Sequence, residues 1–361
     1  MNILEIEFYM GNGGASRFIV DFCNVISRTD NVTVLTVNDD SNPSMRFNKQ
    51  FLSNRVKYVN LGCKSGYSFD AFIKVYSYIK RTRPDVVHVH TGELLTILPA
   101  VRLKGIRFIS TLHNMPSTLV KSKVDKRILE SLYKTKRLLP VTISKECEAE
   151  FEKMYKGQKA EVIINGRSTP QKTDKYSEVK AEIESYKRHS DDLVFLNVAR
   201  LDPAKNHEML VEAFNSLKDE HVILLVIGEH FQKGEPGYPI VEKTGPNIKF
   251  LGVKTNVADY LYNSDFFTLS SKWEGLPISL LEALACGTIP VCTPAGGIPT
   301  VIRNGENGFL AKGFDMESYV ATIKYAIAHR KDISREVLVE EFRQKYSMEE
   351  CAAKYLRLYR E

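Results

Sequence analysis

A doubly wound α/β chain folded as two consecutive units is what this sequence predicts, and three observations predict it. Short β-rich apolar runs alternate with amphipathic stretches along nearly the whole chain, the pattern of a parallel sheet covered by helices on both faces. At 361 residues the chain exceeds what one core comfortably serves. A polar stretch opened by Asn165-Gly166 and running to about residue 175 interrupts the alternation, which then begins again. The expected organisation is residues 1–170, residues 171–345 and a final helical segment, 346–361.

Composition narrows the class. A hydrophobic content of 43% with 26% charged residues describes a globular protein. No apolar run approaches the roughly 18 residues that a membrane span needs. The chain enters directly on the strand-like Ile3–Phe8, without a signal-peptide layout, so a cytoplasmic protein is expected. Six cysteines (23, 63, 147, 286, 292 and 351) show no metal or redox spacing and read as reduced core residues. Charge is uneven. Residues 1–170 hold 26 Lys+Arg against 16 Asp+Glu, and the remainder 24 against 28, which together give the net +6. A basic front half points to an anionic partner: nucleic acid, a membrane surface or a phosphorylated substrate.

In the first unit the β-rich runs are 3–8, 32–37, 86–90, 107–112, 141–143 and 161–164, with helical stretches at 15–28, 68–82 and 117–138. A ligand site in such a sheet lies at the carboxyl ends of its strands. The first strand runs into Gly11-Asn12-Gly13-Gly14-Ala15-Ser16, where glycine lets backbone approach a phosphate or substrate. This loop partly matches a dinucleotide fingerprint, with Asp39 or Asp40 to bind a ribose. Ser16 occupies its last glycine position, however, and the aspartates lie beyond the usual spacing. His88 and His90 share one strand face. Without a Cys, Asp or Glu at matching spacing they read as packing or site lining rather than as metal ligands. His113, just past the fourth of these runs, stands where a crevice residue would and is assigned to the site, with a hydrogen-bonded structural histidine as the second reading. Residues 117–139 carry a Val120, Val124, Ile128, Leu132 stripe surrounded by Lys121, Lys123, Lys126, Arg127, Lys134, Lys136 and Arg137. That is either a solvated helix face or a patch for anionic lipid.

The second unit repeats the alternation, with strands near 193–198, 222–227, 248–251, 266–270, 288–292 and 308–311. Helices are expected at 206–217, 257–263, 277–285, 315–331 and 333–345, and Ser347 with Glu350 makes a capping box for the last one. Arg200 and Lys205 share one strand-to-helix loop, offering a fork and a point charge suited to a diphosphate. Two further strands end in Gly228-Glu229 and Gly252-Val253.

Residues 273–292 are the most specific string. Glu274-Gly275-Leu276 reads as a loop, Pro277 as the first helical residue, Ile278, Leu281, Leu284 and Ala285 as an apolar helix face, and Gly287 as the stop before Thr288–Cys292. Two carboxylates, Glu274 and Glu282, thus flank a helix N-terminus suited to an anion. Either glutamate alone fits an ordinary surface residue as well as a site residue. The whole string, Glu-Gly-Leu-Pro-x-x-Leu-Leu-Glu-Ala-x-Ala-x-Gly, resembles the signature of retaining glycosyltransferases of family 4.

That resemblance implies the GT-B fold: two Rossmann-like domains facing a central cleft, with a C-terminal helix crossing back to the first domain. It implies a sugar moved from a nucleoside-diphosphate-sugar, UDP-linked, to an acceptor hydroxyl on a glycan or lipid-linked sugar in cell-surface polysaccharide assembly. Arg200 and Lys205 would hold the diphosphate, assisted by Gly13, Gly14 and Gly275-Leu276-Pro277. Glu282 would bind the ribose, Glu274 and His113 the donor sugar, and Gly228 and Val253 would line the nucleoside pocket. No Asp-x-Asp string occurs, which fits a metal-free site without a cofactor. Nucleic acid is not expected as a partner, while peripheral attachment to an anionic membrane surface is. Two other readings remain open here: an epimerase or hydrolase on the same scaffold, and a partner subunit without activity.

Overall fold

The computed structural model describes residues 1–64, 68–90, 95–120 and 122–361. Two compact units emerge, one formed by Met1–Ser168 with Tyr346–Glu361 and the other by Thr169–Lys345. The first contains β1 (Asn2–Glu7), α1 (Gly14–Ile26), β2 (Asn31–Asn38), a 3-10 helix (Pro43–Phe51), β3 (Lys57–Cys63), α2 (Phe69–Thr82) and β4 (Val86–His90). It continues through β5 (Arg107–Leu112), α3 (Pro116–Leu119), α4 (Lys123–Lys134), β6 (Leu139–Thr142), α5 (Lys145–Met154) and β7 (Glu161–Val162). The second holds α6 (Tyr176–Tyr186), β8 (Leu193–Val198), α7 (His207–Ser216), β9 (Val222–Ile227), α8 (Tyr238–Val241), β10 (Ile248–Gly252), α9 (Val257–Tyr262) and β11 (Phe266–Leu269). After these come α10 (Ile278–Ala285), β12 (Ile289–Cys292), α11 (Ile298–Val301), β13 (Phe309–Leu310), α12 (Met316–His329) and α13 (Arg335–Lys345). The last helix, α14 (Met348–Arg360), returns to the first unit.

The first sheet is parallel in the order β3-β2-β1-β4-β5-β6-β7 and the second in the order β10-β9-β8-β11-β12-β13. In each sheet the strand order reverses once, between β1 and β4 and between β8 and β11. Crevices for ligands open at such reversals, outside the carboxyl ends of the strands. Strands buried on both faces explain the continuous apolar runs, such as Val222–Ile227. One face of the first sheet is covered by α2, α4 and α5 through Ala71, Val75, Ile79, Leu129, Tyr133 and Phe151. The other is covered by α1 and α14 through Phe18, Phe22, Met348, Tyr355 and Tyr359. Ser347 caps α14, its hydroxyl accepting from the Glu350 N–H at 3.4 Å.

Three sequence expectations need correction. β3 was not anticipated, because Lys57–Cys63 is a half-exposed edge strand with a polar, uneven pattern. The stretch at 117–138 is not one helix: α3 ends at Leu119 and α4 starts afresh at Lys123, capped by Ser122. Nor is its buried stripe the expected one. Leu129 and Tyr133 face the core while Val124 is 64% exposed. Lys121 lies outside the described residues. Pro277 precedes α10 in extended conformation instead of opening it. All six cysteines are free and buried, and among the described residues no helix is long and apolar enough to cross a membrane.

Candidate functional site

In the second unit the functional candidates gather at the reversal of the sheet. β8 leads into the loop that carries Arg200 and Lys205, and β11 into the loop that carries Ser270, Ser271 and Glu274. Lys205 Nζ donates to both Glu274 carboxylate oxygens, at 2.6 and 2.8 Å. Ser271 Oγ donates to Glu274 Oε1 at 2.7 Å, and Ser270 Oγ donates to the Lys205 carbonyl oxygen at 3.0 Å. The two loops are thereby tied across the switch point. Glu274 is 9% exposed, and the Lys205 side chain 21%. Of the three ammonium protons two point to Glu274, so one remains for another anion. Arg200 extends into solvent with its side chain 57% exposed, 3.3 Å from Asp202 Oδ2.

The backbone around Glu274 is set by glycine. Gly296 has φ +50°, and a Cβ there would lie 1.8 Å from the Glu274 carbonyl oxygen. Gly297 N–H donates to Gly275 O at 2.8 Å. This second loop therefore clamps the stretch that positions the carboxylate. No side chain caps α10 at its N-terminus, and Leu280 N–H donates to Pro277 O at 3.2 Å. Its other end closes with Gly287 at φ +70°, where Gly287 N–H reaches Leu284 O and Thr288 N–H reaches Ala283 O, a Schellman arrangement. Leu280, Leu281, Ala283, Leu284 and Ala285 are buried, and Leu276 is buried ahead of them. Glu282 is half-buried on this helix. Gly228 is required by packing, since a Cβ there would lie 2.1 Å from Ala199 O. Val253 is exposed.

In the first unit Gly13 precedes α1 as its cap residue, Gly14 opens the helix, and a Cβ at Gly13 would meet nothing within 4 Å. Ser16 is turned inward to Tyr9 O. Asp39 is engaged by Ser41 and Asp40 by the Tyr58 hydroxyl, which leaves the dinucleotide reading little to stand on. His113 lies beyond β5 at this same end of the sheet, 7% exposed and 5.1 Å from the Phe18 ring.

His88 and His90 do have a carboxylate partner, contrary to the sequence expectation. The register of β1 on β4 sets Glu5 opposite His88. Glu5 Oε2 lies 2.9 Å from His88 Nδ1 and 2.7 Å from His90 Nε2, with all three side chains fully buried. These three residues are of types that bind metal. Ligands around a tetrahedral ion with bonds of 2.0–2.1 Å, however, stand about 3.3 Å apart. In this structure Glu5 lies at hydrogen-bond separations from the two histidines.

Comparison with known proteins agrees with this geometry. Residues 178–345 match the family model for glycosyl transferases group 1, and residues 12–169 match that for glycosyltransferase family 4. The chain belongs to the group 1, family 4 glycosyltransferases, and it has their two-domain α/β GT-B fold. It is similar to the Escherichia coli UDP-Gal:alpha-D-GlcNAc-diphosphoundecaprenol alpha-1,3-galactosyltransferase, 27% identical over 69% of this chain and 68% of that protein. It is 25% identical, over 86% of both chains, to the Campylobacter jejuni N-acetylgalactosamine-N,N'-diacetylbacillosaminyl-diphospho-undecaprenol 4-alpha-N-acetylgalactosaminyltransferase. Among solved structures, Anabaena HepE in complex with UDP and glucose superposes with a TM-score of 0.79 at 18% identity, covering 99% of both chains.

Proposed function

We propose that this glycosyltransferase is retaining and metal-independent, taking its sugar from a UDP-linked donor and passing it to a hydroxyl of a glycan or lipid-linked sugar. The observation that carries this reading is the Lys205–Glu274 pair across the switch point of the second sheet, with Arg200 on the same loop as Lys205. Departure of a nucleoside diphosphate builds negative charge, and preorganised cations and N–H dipoles oppose it without reorganising. Arg200 and the spare proton of Lys205 take the phosphates, helped by the N-terminus of α10 and by Gly13 and Gly14. Glu274 orients the donor sugar and Glu282 the ribose hydroxyls, while Gly228 and Val253 border the nucleoside. Attack comes on the face the leaving phosphate departs from, and that phosphate takes the acceptor proton. No step requires a divalent ion. The relatives named for undecaprenol-linked acceptors support a lipid-linked acceptor at the cytoplasmic membrane surface. The exposed Lys123, Arg127 and Lys134 of α4 would meet anionic lipid there.

Trp273, the chain's one tryptophan, is 52% exposed beside Glu274 and reports on this site by fluorescence. Titration and thermal shift with UDP, GDP, ADP and NAD in EDTA are expected to show UDP binding that Glu282→Ala weakens. At 100 times the dissociation constant, bound UDP adds about 2.7 kcal/mol of stability. Response to NAD alone, or activity that EDTA abolishes and Mg²⁺ restores, would overturn the reading.

A further inference from the structure

The cluster at the β1/β4 reversal determines where its protons sit. Glu5 is held at about 2: burial pushes its pKa up, and His88 and His90 outweigh this by charge and hydrogen bonds. As a carboxylate it can only accept. It receives the protons of His90 Nε2 at 2.7 Å and of the Tyr359 hydroxyl at 3.1 Å, and the Tyr359 oxygen in turn accepts from His88 Nδ1 at 2.7 Å. A carboxylate with two donors and a histidine beside it is stabilised even without water. His90 therefore carries its proton on Nε2. Burial and the neighbouring His88 lower His90 to about 4, so at neutral pH its other nitrogen, Nδ1, is a bare lone pair.

That lone pair lies 2.9 Å from His113 Nε2. One of the two nitrogens must donate, and only His113 can. Burial, then His90 and His88, hold His113 well below the ordinary histidine range, so it too has a single ring proton, committed to Nε2. Its Nδ1 is left as an acceptor, buried and without a hydrogen-bond partner among the described residues. Buried polar atoms are rarely left so unless something else is to occupy them.

We infer that Glu5 and His90 are positioning residues that fix the tautomer of His113, making its Nδ1 an acceptor reserved for a sugar hydroxyl. A hydroxyl has a proton to give, whereas an ionised phosphate oxygen has none and would face the lone pair unfavourably. The chain of command runs from a carboxylate on β1 through β4 to the end of β5. In this assignment the buried charge of Glu5 serves the site without touching substrate. The inference rests on the glycosyltransferase reading for the identity of the hydroxyl, but not for the tautomer.

Selective ¹⁵N labelling of histidine tests it first in the wild-type protein. His113 is expected with a protonated Nε2 and a bare Nδ1; a protonated Nδ1 overturns the inference. A double-mutant cycle with His90→Phe and His113→Ala then tests the coupling. His90→Phe is expected to lower kcat about tenfold or more with the donor KM unchanged, and to cost nothing further once His113 is alanine. Equal losses on both backgrounds would make His90 merely structural and overturn the inference. If the wild type neither binds UDP nor transfers sugar, the donor reading falls, while the ¹⁵N result still decides the tautomer.

Discussion

The two units hold their central carboxylates in opposite ways. In the first, Glu5 lies at 0% exposure among donors from β4 and α14. In the second, Glu274 sits at the sheet rim, paired with a lysine that still reaches solvent. Removing a buried acceptor strands every donor aimed at it, whereas a rim pair can trade one partner for a ligand. The first arrangement builds a unit; the second leaves a charge available for work.

The largest effect should separate them. Glu5→Leu is expected to cost about 3–5 kcal/mol, since two buried donors lose their acceptor. Urea unfolding would then show the first unit melting early and the second unchanged. Lys205→Met should cost only about 1–2 kcal/mol, because Ser271 still serves Glu274, yet transfer should fall on the order of a hundredfold. The contrast breaks if both substitutions destabilise equally.

Acid provides the next test. Glu5 titrates at about 2 in the folded protein against an ordinary 4.5. Its contribution is therefore complete above 4.5 and is lost as pH falls toward 2. His90, at about 4 against 6.5, stays neutral in the folded state while the unfolded chain takes up a proton. The unfolded state binds more protons, so stability drops as pH falls from 6.5 to 4. His113 shifts the same way in the first unit, and His207, at about 4, does so in the second. His90→Phe should flatten the pH dependence of the first unit's stability by about 1.4 kcal/mol per pH unit within that window. An unchanged slope would mean His90 is already charged when folded.

The smallest effect sharpens the rim. Ser271→Ala removes one hydrogen bond to Glu274 Oε1, worth about 0.5–1.5 kcal/mol. Activity should fall by tenfold or less, with the urea midpoint nearly unmoved.

These differences also explain what could be read from the sequence. Arg200, Lys205, Glu274 and Glu282 sit in short contiguous strings on loops and one helix, so local chemistry revealed them. The meeting of Lys205 with Glu274, across the gap between β8 and β11, follows from strand order, which no local string encodes. Ser271 could have been found by its position three residues before Glu274. Glu5 could not, because it lies 83 residues from His88 and reads as one more residue of a buried strand. The stripe on 117–139 misled because its spacing suits a helix whichever side meets the core. Leu129 and Tyr133 face inward, where the Tyr133 ring packs on Phe151 of α5 and on Tyr155 at its end.

The return of α14 has a consequence for synthesis. The first unit's core depends on Met348, Cys351, Ala352, Tyr355, Leu358 and Tyr359, which follow the second unit in the chain. The second unit is made from one continuous segment and can close without them. Of the two units, the one begun earlier is thus completed later, and until α14 arrives Glu5 and His88 stand without their tyrosine cover.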